Sequence, residues 1–499
     1  MGLGGGCLIL VYNSTTKQTV AIDAREEAPK ESHRDLFANI SGDRRLPLSI
    51  GVPGELAGYW ELHQRFGRLE WSQLFNGAIE LSRNGFYVCN HLDNALKYMS
   101  RHINNKFSTL RKLFIDPDTN ECYKRGHKMS NEKLAQTLER LANSSDPIEL
   151  FYRVIAKDII KDIQEFTDKS NFTYLNKTII TLEDFHEYKS KTNLIPVKTH
   201  LKRGNYTLHS FPLPGSGDLL AFMLKVMEQY EDDMNHKTGK SLNKTTLFYH
   251  RLIETFKFAF SRRTLLEEDT DYNNHFVKQL TSDEFAKEIK ELIDDSKTFP
   301  IKSGKYGNNI HITEDKGTAH VSVIDGKGNA VSISTTINSY FGSKIYSKRT
   351  GIILNDELFD FKKYKYPANE TNLINPGKRP LSSMCPTIVT DSKGRVRLVI
   401  GGAGGTKITT GVAFVMLRHL WFEEDIKKAI DAHRLHHQFS PDHIVYEKEF
   451  SEQILNGLSK LGHKLSELKG RGSVIMAISA DHKLSANSDY RKGGDVDGL

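Results

Sequence analysis

Residues Gly317–Ser343 read GTAHVSVIDGKGNAVSISTTINSYFGS. Gly326-Lys327-Gly328 separates two runs rich in β-branched and hydroxyl side chains. A loop of that length, with glycine available for a positive φ, predicts a hairpin flanked by Asp325 and Asn329. Pairing about the loop sets Val323 opposite Val331 and Val321 opposite Ile333, so one face is apolar. The same register sets His320 opposite Ser334 and Thr318 opposite Thr336. A threonine directly after a glycine, with a second threonine across the strand, is how an N-terminal threonine nucleophile would be built.

An internal threonine hydroxyl is a poor nucleophile without a base. Cutting Gly317–Thr318 would give Thr318 a free α-amine. Its reference pKa of roughly 7.7–8.0 lets it act as base for its own hydroxyl at neutral pH. Gly317 leaves room for that hydroxyl to attack the preceding carbonyl and drive self-cleavage. Gly-Thr is a common dipeptide, and by itself a plain strand start is the simpler reading.

The surrounding chain has 499 residues, 38% hydrophobic and 26% charged, enough for one large globular domain or two to three ordinary ones. A net charge of +7 with acidic residues close to most basic ones gives no nucleic-acid stripe, and the Lys-rich stretch 186–203 reads as a solvated surface. No run of about 18 apolar residues is present to span a bilayer. No charged-then-apolar signal segment follows Met1. Asn-X-Ser/Thr sequons at Asn13, Asn39, Asn143, Asn171, Asn176, Asn205, Asn243 and Asn369 point to a secretory route. Cys7, Cys89, Cys122 and Cys385 have no metal-type spacing and read as isolated thiols.

The chain opens as though inside a sheet: CLILVYN and KQTVAIDAREEAP read as two strands, the second ending near Arg25. Residues 54–166 are predicted mainly helical. Leu74, Ala78 and Leu81 share a helical face closed by Asn84-Gly85, and Ser130 caps the next apolar pattern. A Lys/Thr-rich connector leads to FPLPGSG, a helix from Leu219 and another over 246–266. Thr281 and Glu284 form a capping box, and 293–317 reads as an exposed loop. Beyond Thr318 come short strands with glycine turns, helices over Gly405–Glu423 and Ile426–His437, and a last strand over Ser473–Ser479. Strands framed by helices on both sides predict a layered α/β sandwich.

Several residues compete for chemical roles. The run Gly401-Gly402-Ala403-Gly404-Gly405 fits no phosphate-loop pattern; it is either a tight strand-to-helix turn or a nest of N–H groups for an oxyanion. Arg25 is either a surface ion pair or a bidentate clamp on a substrate carboxylate. Glu357 and Asp360 either hold a substrate ammonium or line a solvated turn. Ser382 and Ser383 are turn-formers or carboxylate donors. His433, His436 and His437 have metal-compatible spacing on a predicted helix but no acidic partner, so surface or core histidines are the better reading. No carboxylate pair for glycosidase chemistry is assignable from spacing.

Together AIDAREEAP, GVPGELAGY, GTAHVSVID, STTINSYFGS, ILNDELFDF, PGKRPLSSMCPTI and GGAGGT, in this order, resemble the γ-glutamyltranspeptidase (γ-glutamyltransferase) family of N-terminal nucleophile hydrolases. The resemblance runs from Gly4 to the terminal DYRKGGD, and PLSSMCPTI with the sequons leans toward an animal-type, extracellular member at the plasma membrane or secreted. It implies a four-layer αββα sandwich and autocleavage between Gly317 and Thr318, into a large subunit 1–317 and a small subunit 318–499. It implies Thr318 as nucleophile, Thr336 as the hydrogen-bond partner of its hydroxyl, and the N–H groups of Gly404 and Gly405 as oxyanion donors. It implies that Arg25, Ser382 and Ser383 hold a glutamyl carboxylate and that Asn338, Glu357 and Asp360 hold its ammonium. Glutathione and its conjugates are the implied donors, water and amino acids or dipeptides the acceptors, and no cofactor, metal or nucleic acid is implied. Relatives also carry further N-terminal sequence with a signal or anchor, so the chain reads as N-terminally truncated. A related acylase, or an unprocessed inactive homologue, are the alternatives.

Overall fold

The computed structural model describes residues 2–37, 47–169, 178–230, 242–268, 270–307, 317–361, 371–481 and 483–498. In chain order the strands of its two large sheets are β1 (Gly6–Asn13), β2 (Gln18–Ala24), β3 (Lys191–Leu194), β4 (Val197–Leu201), β5 (Tyr206–Ser210), β6 (Thr318–Ile324), β7 (Ala330–Thr336), β8 (Thr387–Asp391), β9 (Val396–Ala403), β10 (Val474–Ala480) and β11 (Leu484–Ser488). The first sheet has the order β3-β2-β1-β7-β6 and the second β11-β10-β9-β8-β5-β4. Strands far apart in sequence are therefore neighbours, as at β1–β7, where Gly6 pairs with Thr336.

The alternation along β1 explains the layering. Leu8, Leu10 and Tyr12 enter the large core shared with Ile388, Leu398 and Ile400 of the second sheet. Cys7, Ile9 and Val11 pack instead with Ile22 and Ala24 against Tyr59 and Leu62 of helix α1 (Glu55–Phe66). A strand apolar on both faces sits in the middle of a stack. Helices α2 (Gly217–Glu228), α3 (Leu242–Arg263) and α4 (Lys407–Met416) carry fully buried side chains such as Phe222, Phe256 and Phe414 into the same large core, beyond the second sheet. The outcome is helix, sheet, sheet, helix: the four-layer αββα sandwich.

The hairpin register holds residue for residue: Val323 pairs with Val331, Val321 with Ile333, His320 with Ser334 and Thr318 with Thr336. Gly328 takes φ 80°, as the three-residue loop requires. Its orientation inverts the usual expectation. Val321 and Val323 are about half exposed, at 53% and 48%, while Thr318, His320, Ser332, Ser334 and Thr336 are buried. The hydroxyl face points into the sandwich. Ser332 Oγ donates to the Ile400 carbonyl at 3.2 Å and accepts from Thr387 N–H at 3.1 Å, so these hydroxyls join the two sheets.

Other expectations need correction. The Lys/Thr-rich connector contains β3, β4 and β5; in β4, Val197, Thr199 and Leu201 point inward while Lys198 and His200 point out, a pattern suited to an edge strand. Asn131, not Ser130, caps helix Glu132–Ala142, and Ser282, not Thr281, caps Asp283–Leu292. The helix expected over Ile426–His437 stops at Asp431, and Leu435–His436 is a strand. A strand, β11, follows the one taken as last. Of the sequons, Asn143, Asn205 and Asn243 are exposed and Asn13 is half-buried, while Asn39, Asn171, Asn176 and Asn369 lie outside the described residues, as do residues 308–316 of the expected loop. All four cysteines are free thiols. Among the described residues no helix is long and apolar enough to cross a membrane.

Candidate active site

Thr318 begins the edge strand β6 and is 4% exposed. The carbonyl of Gly317 accepts from Thr336 Oγ1 at 3.2 Å and from Ile337 N–H at 3.4 Å. With Gly317–Thr318 joined, the Thr336 hydroxyl is turned to the carbonyl before Thr318. Two donors converge on the carbonyl that a Thr318 attack would turn into an oxyanion. A Cβ at Gly317 would lie 2.5 Å from the Ser339 carbonyl oxygen, so only glycine fits before Thr318.

The strand leading into the glycine run crosses the inner face of the hairpin. Ile400 is bonded to Ser332, which pairs with Ser322. The next residue, Gly401, lies flush on the His320 ring, where a Cβ would sit 2.2 Å from the ring. Continuing along β9 therefore moves from Ser322 past His320 in the direction of Thr318, and Gly404 and Gly405 follow the end of that strand. Both have positive φ, 125° and 62°, in the turn that precedes α4. Burial holds His320 down to about 3, with Lys492 adding to the shift, so its ring is neutral and serves as a spacer bonded to Ser334 and Ser322.

Arg25 closes the other side. It directly follows β2 and is fully buried, which rules out the surface ion pair. Its Nη1 meets Glu357 Oε1 at 2.6 Å, Nη2 meets Asp360 Oδ2 at 2.8 Å, and Nε donates to the Pro380 carbonyl at 3.0 Å. Glu357 and Asp360 sit on one short turn, Glu357–Asp360. Arg25, Glu357 and Asp360 thus form one buried network. A second buried guanidinium, Arg379, pairs with Asp23 at 3.0 Å, leaving Arg25 to the 357–360 turn. Asn338, at φ 66°, donates from Nδ2 to the Asp356 carbonyl at 3.0 Å and ties the hairpin end to that turn.

Ser382 and Ser383 follow Pro380, whose carbonyl Arg25 holds. Ser382 Oγ accepts from Met384 N–H at 3.1 Å, a turn role. Ser383 Oγ is buried and has no hydrogen-bond partner among the described residues. A buried hydroxyl without a partner costs stability unless a ligand or water uses it.

The sequence profile of the gamma-glutamyltranspeptidase family matches residues 1–499. Scoloptoxin SSD14 of Scolopendra dehaani is 40% identical, over 100% of this chain and 85% of its own length. Glutathione hydrolase 5 proenzyme of Mus musculus is 33% identical, again over 100% of this chain and 85% of its own length. The chain belongs to the γ-glutamyltranspeptidase family. The fold agrees: cephalosporin acylase from Bacillus halodurans superposes with TM-score 0.78 at 21% identity, over 100% of this chain and 88% of that one. Helicobacter pylori gamma-glutamyltranspeptidase superposes at TM-score 0.51 and 25% identity, over 60% of this chain and 82% of that one.

Three contributors to this γ-glutamyltranspeptidase site escaped sequence reasoning. Asn355 staples it, donating to the Gly4 and Gly51 carbonyls and accepting from Gly51 and Glu357 N–H. Glu26 lies 3.8 Å from Arg25, and burial pushes its carboxyl up to about 8 against the pull of that guanidinium. Lys492 donates to the Thr318 carbonyl at 2.9 Å. Only the neighbouring letters NDE and REE pointed toward the first two. The histidines near 436 are not metal-like: His436 is buried against Thr410 and Gln438. Among the described residues His250, Glu254 and His463 alone have ligand atoms close enough for a metal. There Glu254 already meets Lys257 at 3.2 Å and accepts from Thr298 and Tyr306, which makes it a satisfied polar network.

Proposed function

We propose that this chain is a γ-glutamyl transferase/hydrolase acting on glutathione and its conjugates through Thr318. The supporting observation is the buried Arg25–Glu357–Asp360 network with Ser383 Oγ lacking a partner, set beside the Gly317–Thr318 hairpin. Thr318 Oγ1 attacks the Gly317 carbonyl, whose oxyanion is held by Thr336 Oγ1 and Ile337 N–H. Expulsion of the Thr318 nitrogen leaves an ester, and water cleaves it to give residues 1–317 and 318–499 with a free α-amine. Thr336 Oγ1 is then released to bond the Thr318 hydroxyl.

A free glutamyl end is a zwitterion. Its carboxylate takes the Arg25 fork and the Ser382–Ser383 pair; its ammonium takes Glu357, Asp360 and Asn338. Fixing both ends places the γ-carbonyl on Thr318 and removes much of the entropic barrier. The α-amine accepts the hydroxyl proton, the Gly404 and Gly405 N–H groups take the developing charge, and a γ-glutamyl ester forms as the leaving amine departs. Water or an acceptor amine then removes the glutamyl group. The likeness to the cephalosporin acylase rests on the fold, and an acyl group without an amino-acid end has no use for this clamp. Assay of γ-glutamyl against glutaryl anilides tests the reading: turnover of the γ-glutamyl anilide by two-chain protein is expected, and preference for the glutaryl compound sinks it.

The exposed sequons Asn143, Asn205 and Asn243 support a glycosylated, extracellular enzyme, which glycosidase-induced gel shifts of secreted protein would check.

Ser383→Ala separates binding from folding. The variant removes a buried hydroxyl without a partner, so stability is expected to stay level or rise by about 0.5–1 kcal/mol. Donor KM is expected to rise about 10-fold for a lost charge-assisted bond, with cleavage of the precursor intact. Melting curves and initial rates read the two effects separately.

A further inference from the structure

Lys492 belongs to DYRKGG, beyond β11, and the fold holds that segment firmly. Asp489 is fully buried and accepts from Arg434 Nη2 at 2.6 Å and from Ile475 N–H at 2.9 Å. Arg491 pairs with Glu447 at 2.6 Å, and Lys492 N–H closes a turn onto the Asp489 carbonyl at 3.1 Å. β6 is an edge strand, so its outward carbonyls lack a strand partner. Lys492 Nζ fills that gap at Thr318, 2.9 Å from the carbonyl oxygen. The α-nitrogen of Thr318 is two bonds from that carbonyl carbon, which puts it within about 6 Å of the ammonium.

We propose that Lys492 is a positioning residue that keeps the Thr318 α-amine unprotonated, and so competent as a base, by holding a positive charge beside it. The inference rests on Thr318 being the nucleophile. Two amines this close resist carrying two protons together. On the acid limb, below the value of about 8 to which burial and Arg471 hold it, Lys492 is charged, and that charge disfavours a second proton on the α-amine.

The surroundings reinforce the sign. Arg471, from the loop before β10, bonds His91 Nδ1 at 2.6 Å and Tyr340 Oη at 2.9 Å. Burial and Arg471 together hold Lys492 down to about 8, and burial, Arg471 and Lys492 hold His91 down to about 4. Inside the sandwich His320 is neutral. The nearby carboxylates are engaged elsewhere: Asp489 with Arg434, Glu447 with Arg491, and Glu55 with the Thr335 hydroxyl on the opposite face of the hairpin. Among the described residues neither Arg471 nor Lys492 has a carboxylate within salt-bridge distance to cancel this field.

The test is the pH profile of kcat/KM for a γ-glutamyl anilide in processed protein. Lys492→Gln is expected to move the acid limb up by about one pH unit, roughly a 10-fold loss near pH 6, with the alkaline plateau kept. Lys492→Arg keeps the charge and is expected to restore the limb. An unmoved limb, or an equal loss at every pH, overturns the proposal. Should Lys492→Gln remain uncut, reductive methylation of the wild-type Thr318 α-amine, read by mass spectrometry across pH, decides. Half-reaction below the ordinary value of about 7.7 is expected, and a value at or above it overturns the role of Lys492. If wild-type protein yields no free Thr318 amine at all, it is the assignment of the nucleophile that fails.

Discussion

Thr318→Ala is expected to run as one band on a denaturing gel where the parent protein runs as two, and to turn over γ-glutamyl anilides at least about 10⁵-fold more slowly. One hydroxyl serves both steps, so its loss removes self-cleavage and acyl transfer together. Without cleavage the nitrogen of residue 318 stays an amide and offers no base. The fold itself should survive. The Thr318–Thr336 pairing is a backbone register, and a deleted methyl and hydroxyl at a small buried site cost about 1–2 kcal/mol. A melting temperature within a few degrees of the parent would show that activity, not folding, was lost. Thr318→Ser supplies the control, since it keeps a hydroxyl and should cut, though more slowly. Two bands from Thr318→Ala, or full activity in its single band, would refute the mechanism. Edman sequencing of the parent's smaller band should begin Thr-Ala-His-Val.

How much of this was legible depended on the range of the interaction. The hairpin is local: a three-residue loop fixes the register, so Thr318 opposite Thr336 could be read from the letters. Which face of it is buried could not. Alternation supplies two faces and says nothing of what lies on either side, and here the second sheet claimed the hydroxyl face through Ser332 and Gly401. Strands β3 to β5 were read as connector because lysines on an outward face mask an inward Val197, Thr199 and Leu201. Arg25, Glu357, Asp360 and Ser383 were named through family motifs. The union of Arg25, Glu357 and Asp360 in one buried network, across more than 300 residues of chain, is a long-range product of the fold that no local pattern carries. Lys492 left no signal, because a lysine in a charged tail is ordinarily solvated.

Arg25→Met should be damaging in two separable ways. The donor loses its carboxylate clamp, so kcat/KM for γ-glutamyl substrates is expected to fall by at least about 10³-fold. The fold loses the counter-charge of Glu357 and Asp360, at 2.6 and 2.8 Å, and of Glu26 beside them. Removing one partner from a buried pair costs about 3–5 kcal/mol. Arg25→Lys keeps a charge but not the fork that spans both carboxylates and the Pro380 carbonyl, so it should recover more stability than activity. The pH dependence tells electrostatics from packing. Burial already pushes Glu26 to about 8, above its unfolded value, so between those two pH values the folded protein binds the extra proton and stability falls as pH rises. Without Arg25 the Glu26 carboxyl loses the guanidinium that pulls it down and shifts further up, so the variant's deficit should grow from pH 5 to pH 8.5. Melting curves of parent and variant at the two pH values measure that growth. A deficit of equal size at both would mean that Arg25 is held for its shape, and that the substrate clamp is not the electrostatic device described above.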